Sequence, residues 1–168
     1  MPGRLEVVEA PLGLNGRVRT FVDYAHTPDA LAKVCETLAT LAEGRLHVVF
    51  GCGGDRDRSK RAPMAAAVAR YAHCAYLTSD NPRSEDPEAI LDEVQQGLTG
   101  SSVEAYRVVD RAEAIRAAIG KAEPGDTVLI AGKGHETYQI FKDSVVPFDD
   151  RLEAARALAA KEAGWLHR

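Results

Sequence analysis

Residues 46–83 read LHVVFGCGGDRDRSKRAPMAAAVARYAHCAYLTSDNPR, and this segment decides the fold class. The apolar run 46–50 predicts a buried strand, and a glycine-rich loop leads from it into a helix that we expect over about 59–71. A second apolar run, 74–78, predicts the next buried strand. Strands that are separated by helices pair in parallel, so the segment predicts an α/β fold.

The same alternation continues on both sides of this segment. We expect further strands over 17–24, 105–109 and 127–131, and helices over about 27–43, 87–96, 110–120 and 150–163. Two of these helices have clear start signals, because Thr27 precedes Pro28 and Asp110 precedes Glu113 by three residues. Residues 5–8 resemble a short strand, 13–16 a turn, and 138–148 a hairpin. The pattern predicts one domain over 1–168, with a Rossmann-like, doubly wound, mostly parallel sheet of about six strands flanked by helices.

Composition limits the classes of function. The 168 residues suffice for one domain with a real core, and a net charge of −4 argues against nucleic acid as the main partner. No apolar run approaches the roughly 18 residues that a membrane span requires. Three scattered cysteines have no metal-ligand spacing, so we expect no metal site here, and reduced thiols in a cytoplasmic protein.

Four polar loops follow predicted strands, at 23–26, 51–58, 80–83 and 132–136. Parallel strands present their carboxyl ends along one edge of the sheet, where ligands bind in folds of this class. We therefore expect the four loops to converge on one site.

The loop Asp80-Asn81-Pro82-Arg83 is the most informative of the four about the ligand. Pro82 fixes one backbone dihedral angle, which stiffens the loop. Arg83 adds a planar and permanently charged guanidinium group that suits a carboxylate or a phosphate. The loop therefore predicts an anionic small molecule as the ligand.

The other loops allow structural interpretations as well as functional ones. The glycines of 51–54 could belong to a flexible surface loop, and His26 could simply cap the loop before Pro28. Residues 132–136 (GKGHE) lack the Lys-Ser/Thr pair of a phosphate-binding loop, so we reject that function and keep a turn histidine as the alternative for His135. Cys52 has no evident base beside it and is expected to be a small buried residue.

Taken together, four motifs resemble the carboxyl-terminal domain of the Mur ligases, and among these the members that add meso-diaminopimelate. The motifs are VDYAHTPDAL at 22–31, VFGCGGDRD at 49–57, DNPR at 80–83 and AGKGHE at 131–136. The opening PGRLE at 2–6 is similar to the junction between the central and last domains of that family.

The resemblance implies one domain of a three-domain enzyme that adds meso-diaminopimelate to UDP-MurNAc-L-Ala-D-Glu through an acyl-phosphate intermediate in peptidoglycan synthesis. In that family an N-terminal domain binds the UDP-sugar and a central domain binds ATP and Mg²⁺. We expect both domains to be absent from this chain, which would be inactive by itself. The implied partners are meso-diaminopimelate, ATP, the UDP-MurNAc-dipeptide and the central domain, with no nucleic acid and no membrane.

The resemblance also implies roles for single residues, although no catalytic residue is certain in this domain. The implied residues for meso-diaminopimelate are Arg56, Asp80, Asn81, Pro82, Arg83, Gly132 and Glu136, and those near the nucleotide are Arg4, Tyr24 and His26. Within this set Arg83 would select the amino acid, because diaminopimelate carries a distal carboxylate that lysine lacks, whereas the bare ammonium of lysine would be repelled.

Two alternatives stay open at this point. The chain could be a stand-alone Rossmann-like module that binds an amino acid or a nucleotide without catalysis. It could also belong to a lysine-adding or another related ligase, such as the folylpolyglutamate synthases or the D-alanyl-D-alanine-adding enzymes, although DNPR argues against the last two.

Overall fold

A computed structural model describes residues 4–9 and 18–164 of the chain. The strands in these ranges are β1 (Glu6–Val8), β2 (Arg19–Asp23), β3 (Leu46–Phe50), β4 (Cys74–Leu77), β5 (Glu104–Arg107), β6 (Thr127–Ala131), β7 (Tyr138–Ile140) and β8 (Val145–Pro147). The helices are α1 (Pro28–Leu41), α2 (Arg61–Tyr71), α3 (Pro87–Gln96), α4 (Arg111–Lys121) and α5 (Asp150–Glu162). The turn predicted at 13–16 lies outside the described residues.

Six strands form one sheet in the order β1-β2-β6-β3-β4-β5, while β7 and β8 form a separate antiparallel hairpin. The edge strand β1 runs antiparallel to β2, and all other neighbours in the sheet are parallel. The predicted α/β class, the mostly parallel sheet and the hairpin are therefore confirmed. No helix in the described ranges is long and apolar enough to cross a lipid bilayer.

Helices cover both faces of the sheet and bury the central strands. One core contains apolar side chains of α1, α2 and α3, such as Leu31, Val68 and Ile90, and the other contains those of α4 and α5, such as Ile115 and Ala154. All residues of β3 and β6 are buried, as expected for parallel strands with helices on both faces. The carboxyl ends of these strands are consequently held at a fixed edge.

Local capping sets where most helices begin. The side chains of Thr27 and Asp110 accept hydrogen bonds from Ala30 N and Glu113 N, at 3.2 and 3.0 Å, which confirms the two predicted starts. The helix predicted from 59 begins instead with a 3₁₀ turn, Arg58–Lys60, and becomes α-helical only at α2.

A fully buried ion pair joins the two helices α4 and α5. Arg111 Nε and Nη2 each donate to the Asp150 carboxylate at 2.8 Å, and both side chains are inaccessible to solvent. The same guanidinium donates to the carbonyls of Ser79 and Ala131, at 3.1 and 3.0 Å. Ala131 is the last residue of β6 and Ser79 follows β4 by two residues, so Arg111 ties the chain at both strand ends to the start of α5.

A second buried polar cluster lies at the opposite edge of the sheet. His47 Nε2 lies 2.9 Å from Asp126 Oδ2 and His47 Nδ1 lies 3.1 Å from the Tyr76 hydroxyl. Asp126 also accepts from the backbone N–H of Arg45 and of Glu123. Burial is the main influence on His47 and lowers its pKa, against the opposing effect of Asp126, so the imidazole is neutral in the folded protein.

The buried pair allows a direct test of stability. We expect Arg111→Met to lower the free energy of unfolding by about 3–5 kcal/mol, because it leaves the Asp150 carboxylate buried without its cation. Urea unfolding of the chain measures this loss. Arg116→Met, at an exposed position of the same helix, is the control and should change stability by less than about 0.5 kcal/mol. A loss below about 1 kcal/mol for Arg111→Met would contradict the assigned role.

The neutral His47 predicts a specific dependence of stability on pH. Its pKa is below the ordinary 6.5 in the folded state, so the unfolded chain binds more protons in this window and stability falls as the pH drops below 6.5. Urea unfolding at about pH 7.5 and about pH 5.5 should show this loss, and His47→Gln should reduce it. If His47→Gln lost as much stability between these two pH values as the wild type, groups other than His47 would be the cause. The pKa of Asp126 is lowered from 3.8 in the folded state, so protonation of this carboxylate reduces stability only at still lower pH.

Candidate functional site

The loops after β2, β3, β4 and β6 line one cleft of about 510 Å³ at the carboxyl edge of the sheet. The predicted convergence of the four loops is therefore confirmed. The residues that were predicted to bind the amino acid and that line this cleft are Arg56, Asp80, Asn81, Arg83, Gly132 and Glu136. Pro82 does not line it, because this residue is buried and its carbonyl accepts from Glu85 N at 3.1 Å.

The glycine run is packed against the loop after β4. Gly54 N donates to the Asn81 carbonyl at 2.8 Å, and a side chain at position 54 would begin 1.8 Å from the Pro82 carbonyl oxygen, so only glycine fits there. The Asp55 carboxylate accepts from the backbone N–H and the hydroxyl of Ser84, at 3.2 and 2.6 Å, and these bonds lower its pKa. The two loops thus form one braced unit, which argues against a flexible surface loop.

Arg61, at the start of α2, anchors this braced unit. Its role was not predicted from the sequence. Its side chain is 1% exposed, and it donates to Glu85, to Glu93 and to the Gly53 carbonyl. The hydrogen bond from Arg61 lowers the pKa of Glu85. In the sequence this arginine is one of several charges in 55–61, and nothing local distinguishes the buried one from its exposed neighbours.

Arg83 lies in the cleft with only part of its guanidinium engaged. Its Nη1 donates to the carbonyls of Gly54 and Asn81, at 2.9 and 3.4 Å, and its backbone N–H donates to Ile140 O at 2.9 Å. Its backbone is left-handed, with φ of +52°. Within the part of the chain that the structure describes, Nε and Nη2 have no hydrogen-bond partner. One edge of the fork is thus anchored, and the other remains available to an anion.

Lys133 is a buried cation that the sequence analysis did not assign to the site. Its Nζ donates to Asn81 Oδ1 and to the Tyr138 carbonyl, both at 2.9 Å. It lies 3.2 Å from Asp80 Oδ1 and 3.7 Å from Glu136 Oε1, and its side chain is fully buried. The rejection of a phosphate-binding loop agrees with this geometry, because the lysine contacts carboxylates of its own chain.

The hairpin strand β7 forms the back wall of the DNPR loop. Ile140 N donates to Asn81 Oδ1 at 3.0 Å, and Gln139 Nε2 donates to the Asp80 carbonyl at 2.9 Å. The amide oxygen of Asn81 therefore accepts hydrogen bonds from both Lys133 and β7, which holds the loop in place. The residue still borders the cleft.

The residues predicted to lie near the nucleotide share a second, smaller cleft. Arg4, Tyr24 and His26 line this cavity of about 340 Å³ beside the start of α1, and Tyr24 and His26 also border the first cleft. The Tyr24 ring lies 4.7 Å from His26, edge to face, and 6.2 Å from His135, stacked. His26 Nδ1 also lies 2.8 Å from the Tyr24 carbonyl oxygen. His26 therefore makes a contact within its own loop and also borders the cleft.

Cys52 borders the cleft as a buried thiol. Burial, followed by the nearby Asp80 charge, raises the pKa of the Cys52 thiol to about 12, and its Sγ lies 3.6 Å from Met64 Sδ. Residues 4–9 and 18–164 contain no group of three or more His, Cys, Asp or Glu side chains arranged to hold a metal ion. The charged side chains that line the cleft, such as Arg56, Asp80 and Glu136, suit it to the recognition of charged groups.

Comparison with known proteins identifies related sequences. Residues 3–134 match the family model "Mur ligase, glutamate ligase domain". The UDP-N-acetylmuramoyl-L-alanyl-D-glutamate--2,6-diaminopimelate ligase of Geobacillus kaustophilus is 53% identical over 98% of the chain, and that of Nostoc sp. is 48% identical over 96%. Each match covers 32% of the relative, so the chain spans about a third of the length of these curated relatives.

Solved structures agree with this relationship. The structure of a UDP-N-acetylmuramoyl-L-alanyl-D-glutamate--2,6-diaminopimelate ligase superposes with a TM-score of 0.86 and 44% identity, over 96% of this chain and 32% of that one. A folylpolyglutamate synthase from Thermotoga maritima, at 21% identity and a TM-score of 0.57 over 79% of this chain and 28% of that one, shares the fold alone. The family model and the relatives together establish that the chain belongs to the Mur ligase family.

Proposed function

We propose that this chain is the carboxyl-terminal, amino-acid-binding domain of a three-domain ligase that adds meso-diaminopimelate to UDP-MurNAc-L-Ala-D-Glu. The observation that carries the proposal is the half-engaged guanidinium of Arg83 in the cleft, with Nε and Nη2 unpaired among the described residues. A carboxylate can accept from both atoms at once, in the bidentate geometry that arginine favours. The relatives named for diaminopimelate addition support the same substrate.

Separate charged side chains bind the two ends of the amino acid. Arg83 binds the distal carboxylate, and Asp80 and Glu136 face the ammonium beside it. Arg56, exposed at the cleft, binds the other carboxylate of the substrate. Gly132 has a φ of +116°, which lets the backbone pass close to the Asp80 side chain.

Asn81 and Pro82 act on the loop, not on the ligand's charge. The Asn81 amide oxygen accepts from Lys133 Nζ and Ile140 N, which fixes the loop on the hairpin. Pro82 is buried and restricts the backbone beside Arg83. Because the loop is held from both sides, the guanidinium is preorganised before the substrate arrives.

Arg4, Tyr24 and His26 approach the nucleotide from the second cleft when the domains close. ATP and Mg²⁺ would be bound mainly by the central domain. There the D-glutamyl carboxylate would attack the γ-phosphate of ATP, which would give an acyl phosphate and release ADP. The amine of diaminopimelate then attacks that carbonyl and phosphate leaves. The residues of this domain contribute orientation, which brings the amine to the activated carbon. We also propose a cytoplasmic location for the complete ligase.

The lysine-adding alternative fits the cleft less well. The unpaired edge of Arg83 would face the bare side-chain ammonium of lysine, and like charges in a partly buried site repel. A diamino acid with a carboxylate at that end removes the repulsion and supplies an acceptor.

The role of Arg83 predicts a loss of substrate affinity on truncation. In the complete ligase that carries this domain, Arg83→Ala should raise the KM for meso-diaminopimelate roughly 30-fold, or about 2 kcal/mol, because a charged bidentate contact is lost. Alanine and arginine both carry a Cβ, so the backbone cost at φ +52° is similar in the two proteins. Arg116→Ala on the exposed side of α4 is the control and should leave the KM unchanged. A wild-type KM for Arg83→Ala would overturn the proposed role of Arg83.

The domain assignment predicts that the chain by itself does not hydrolyse ATP. We expect no phosphate release above background when the purified 168-residue chain is incubated with ATP, Mg²⁺ and diaminopimelate, because the chain supplies orientation only. Phosphate release that scales with the concentration of the chain, and that Arg4→Ala abolishes, would contradict the assignment.

A further inference from the structure

The positive charge of Lys133 has no part in the function proposed above. Its hydrogen bonds to Asn81 Oδ1 and the Tyr138 carbonyl hold the DNPR loop on β7, which a neutral donor could also do. Its positive charge is a separate property. A charge buried in a protein is costly unless nearby groups of opposite charge compensate it, and Asp80 and Glu136 are those groups here.

The charges around Lys133 do not cancel within the three-residue cluster. Two carboxylates face one ammonium, which leaves one net negative charge beside the cleft. Asp80 Oδ1 is buried and lacks a hydrogen bond of good geometry, although Lys133 Nζ lies 3.2 Å from it. The cluster therefore still has an acceptor for a further cationic donor.

Arg83 balances the charge of this cluster at one end of the cleft. Its guanidinium adds one positive charge to the cluster. The net charge of the two cations and two carboxylates is then zero for Arg83, Lys133, Asp80 and Glu136. A pocket of this kind suits a group that carries one ammonium and one carboxylate and is itself neutral overall. Without Lys133 the same pocket would carry one net negative charge and would favour a ligand end that is purely cationic.

We propose that Lys133 is a positioning residue whose buried charge sets the selectivity of the cleft for a zwitterionic amino-acid end over a bare ammonium. The proposal rests on the proposed function, since it concerns the end of the amino acid that Arg83 reads. Lys133 acts through Asp80 and Glu136 and does not contact the reacting atoms. The residue discriminates by lowering the net negative charge that a cationic competitor would meet.

The experiment compares two substrates in the complete ligase that carries this domain. The ratio of kcat/KM for meso-diaminopimelate to kcat/KM for L-lysine is measured for the wild type, Lys133→Gln and Lys133→Arg. Glutamine retains N–H donors for Asn81 and Tyr138 but removes the charge, and arginine retains the charge. Lys142→Gln, an exposed lysine in the turn of the same hairpin, is the matched control.

We expect Lys133→Gln to lower the selectivity ratio by about tenfold or more, while Lys133→Arg and Lys142→Gln keep it within about threefold of the wild type. A purely structural role would reduce turnover of both amino acids equally and leave the ratio unchanged, which would overturn the proposal. An equal fall of the ratio in Lys133→Arg would also overturn it, because the charge would then not be the cause.

The double variant Lys133→Gln/Glu136→Gln tests the charge balance independently and serves if the single variant does not fold. It removes one charge of each sign, so the ratio should return toward that of the wild type. A double variant that prefers lysine would overturn the role of Lys133. If the wild-type ligase itself does not use diaminopimelate, the proposed function fails, and this result is distinct from an unchanged ratio in the variants.

Discussion

The buried pair between Arg111 and Asp150 is the constraint on which the rest of the functional edge depends. One guanidinium holds the Ser79 carbonyl just beyond β4, the last carbonyl of β6 and the first residue of α5 at the same time. The two loops that carry Asp80–Arg83 and 132–136 begin directly after these carbonyls. Because both loops start from a common anchor, their side chains keep a fixed separation, which recognition of a small molecule with two charged groups requires.

Arg111, Lys133 and Arg83 differ in how fully their donors are used. Arg111 is fully buried and bound on all sides, and Lys133 is fully buried between two acceptors and two carboxylates. Arg83 is half-buried and keeps one edge of its guanidinium unpaired among the described residues. Arg111 and Lys133 hold the loops in place, whereas Arg83 keeps donors that can bind a ligand.

The sequence predicts most of the fold because its signals are local. Apolar runs mark the strands, Thr27 and Asp110 mark helix starts, and the order of strands and helices predicts that the loops converge. The buried cations could not be predicted in this way. Arg111 pairs with Asp150 from 39 residues away, and Lys133 binds Asn81 from 52 residues away, so only the tertiary structure distinguishes them from solvated charges. The resemblance to the Mur ligases implied roles for the cleft residues but none for Arg111 or Lys133.

The left-handed backbone at Arg83 restricts how this position can change during evolution. Most side chains are strained at a φ of +52°, whereas glycine and, to a lesser degree, asparagine adopt it readily. Exchange of Arg83 for either residue would therefore relieve strain while it removed the positive charge. A lineage that gave up the positive charge at this position would meet the lowest conformational barrier through these two residues, and return to arginine would require the strain to be restored.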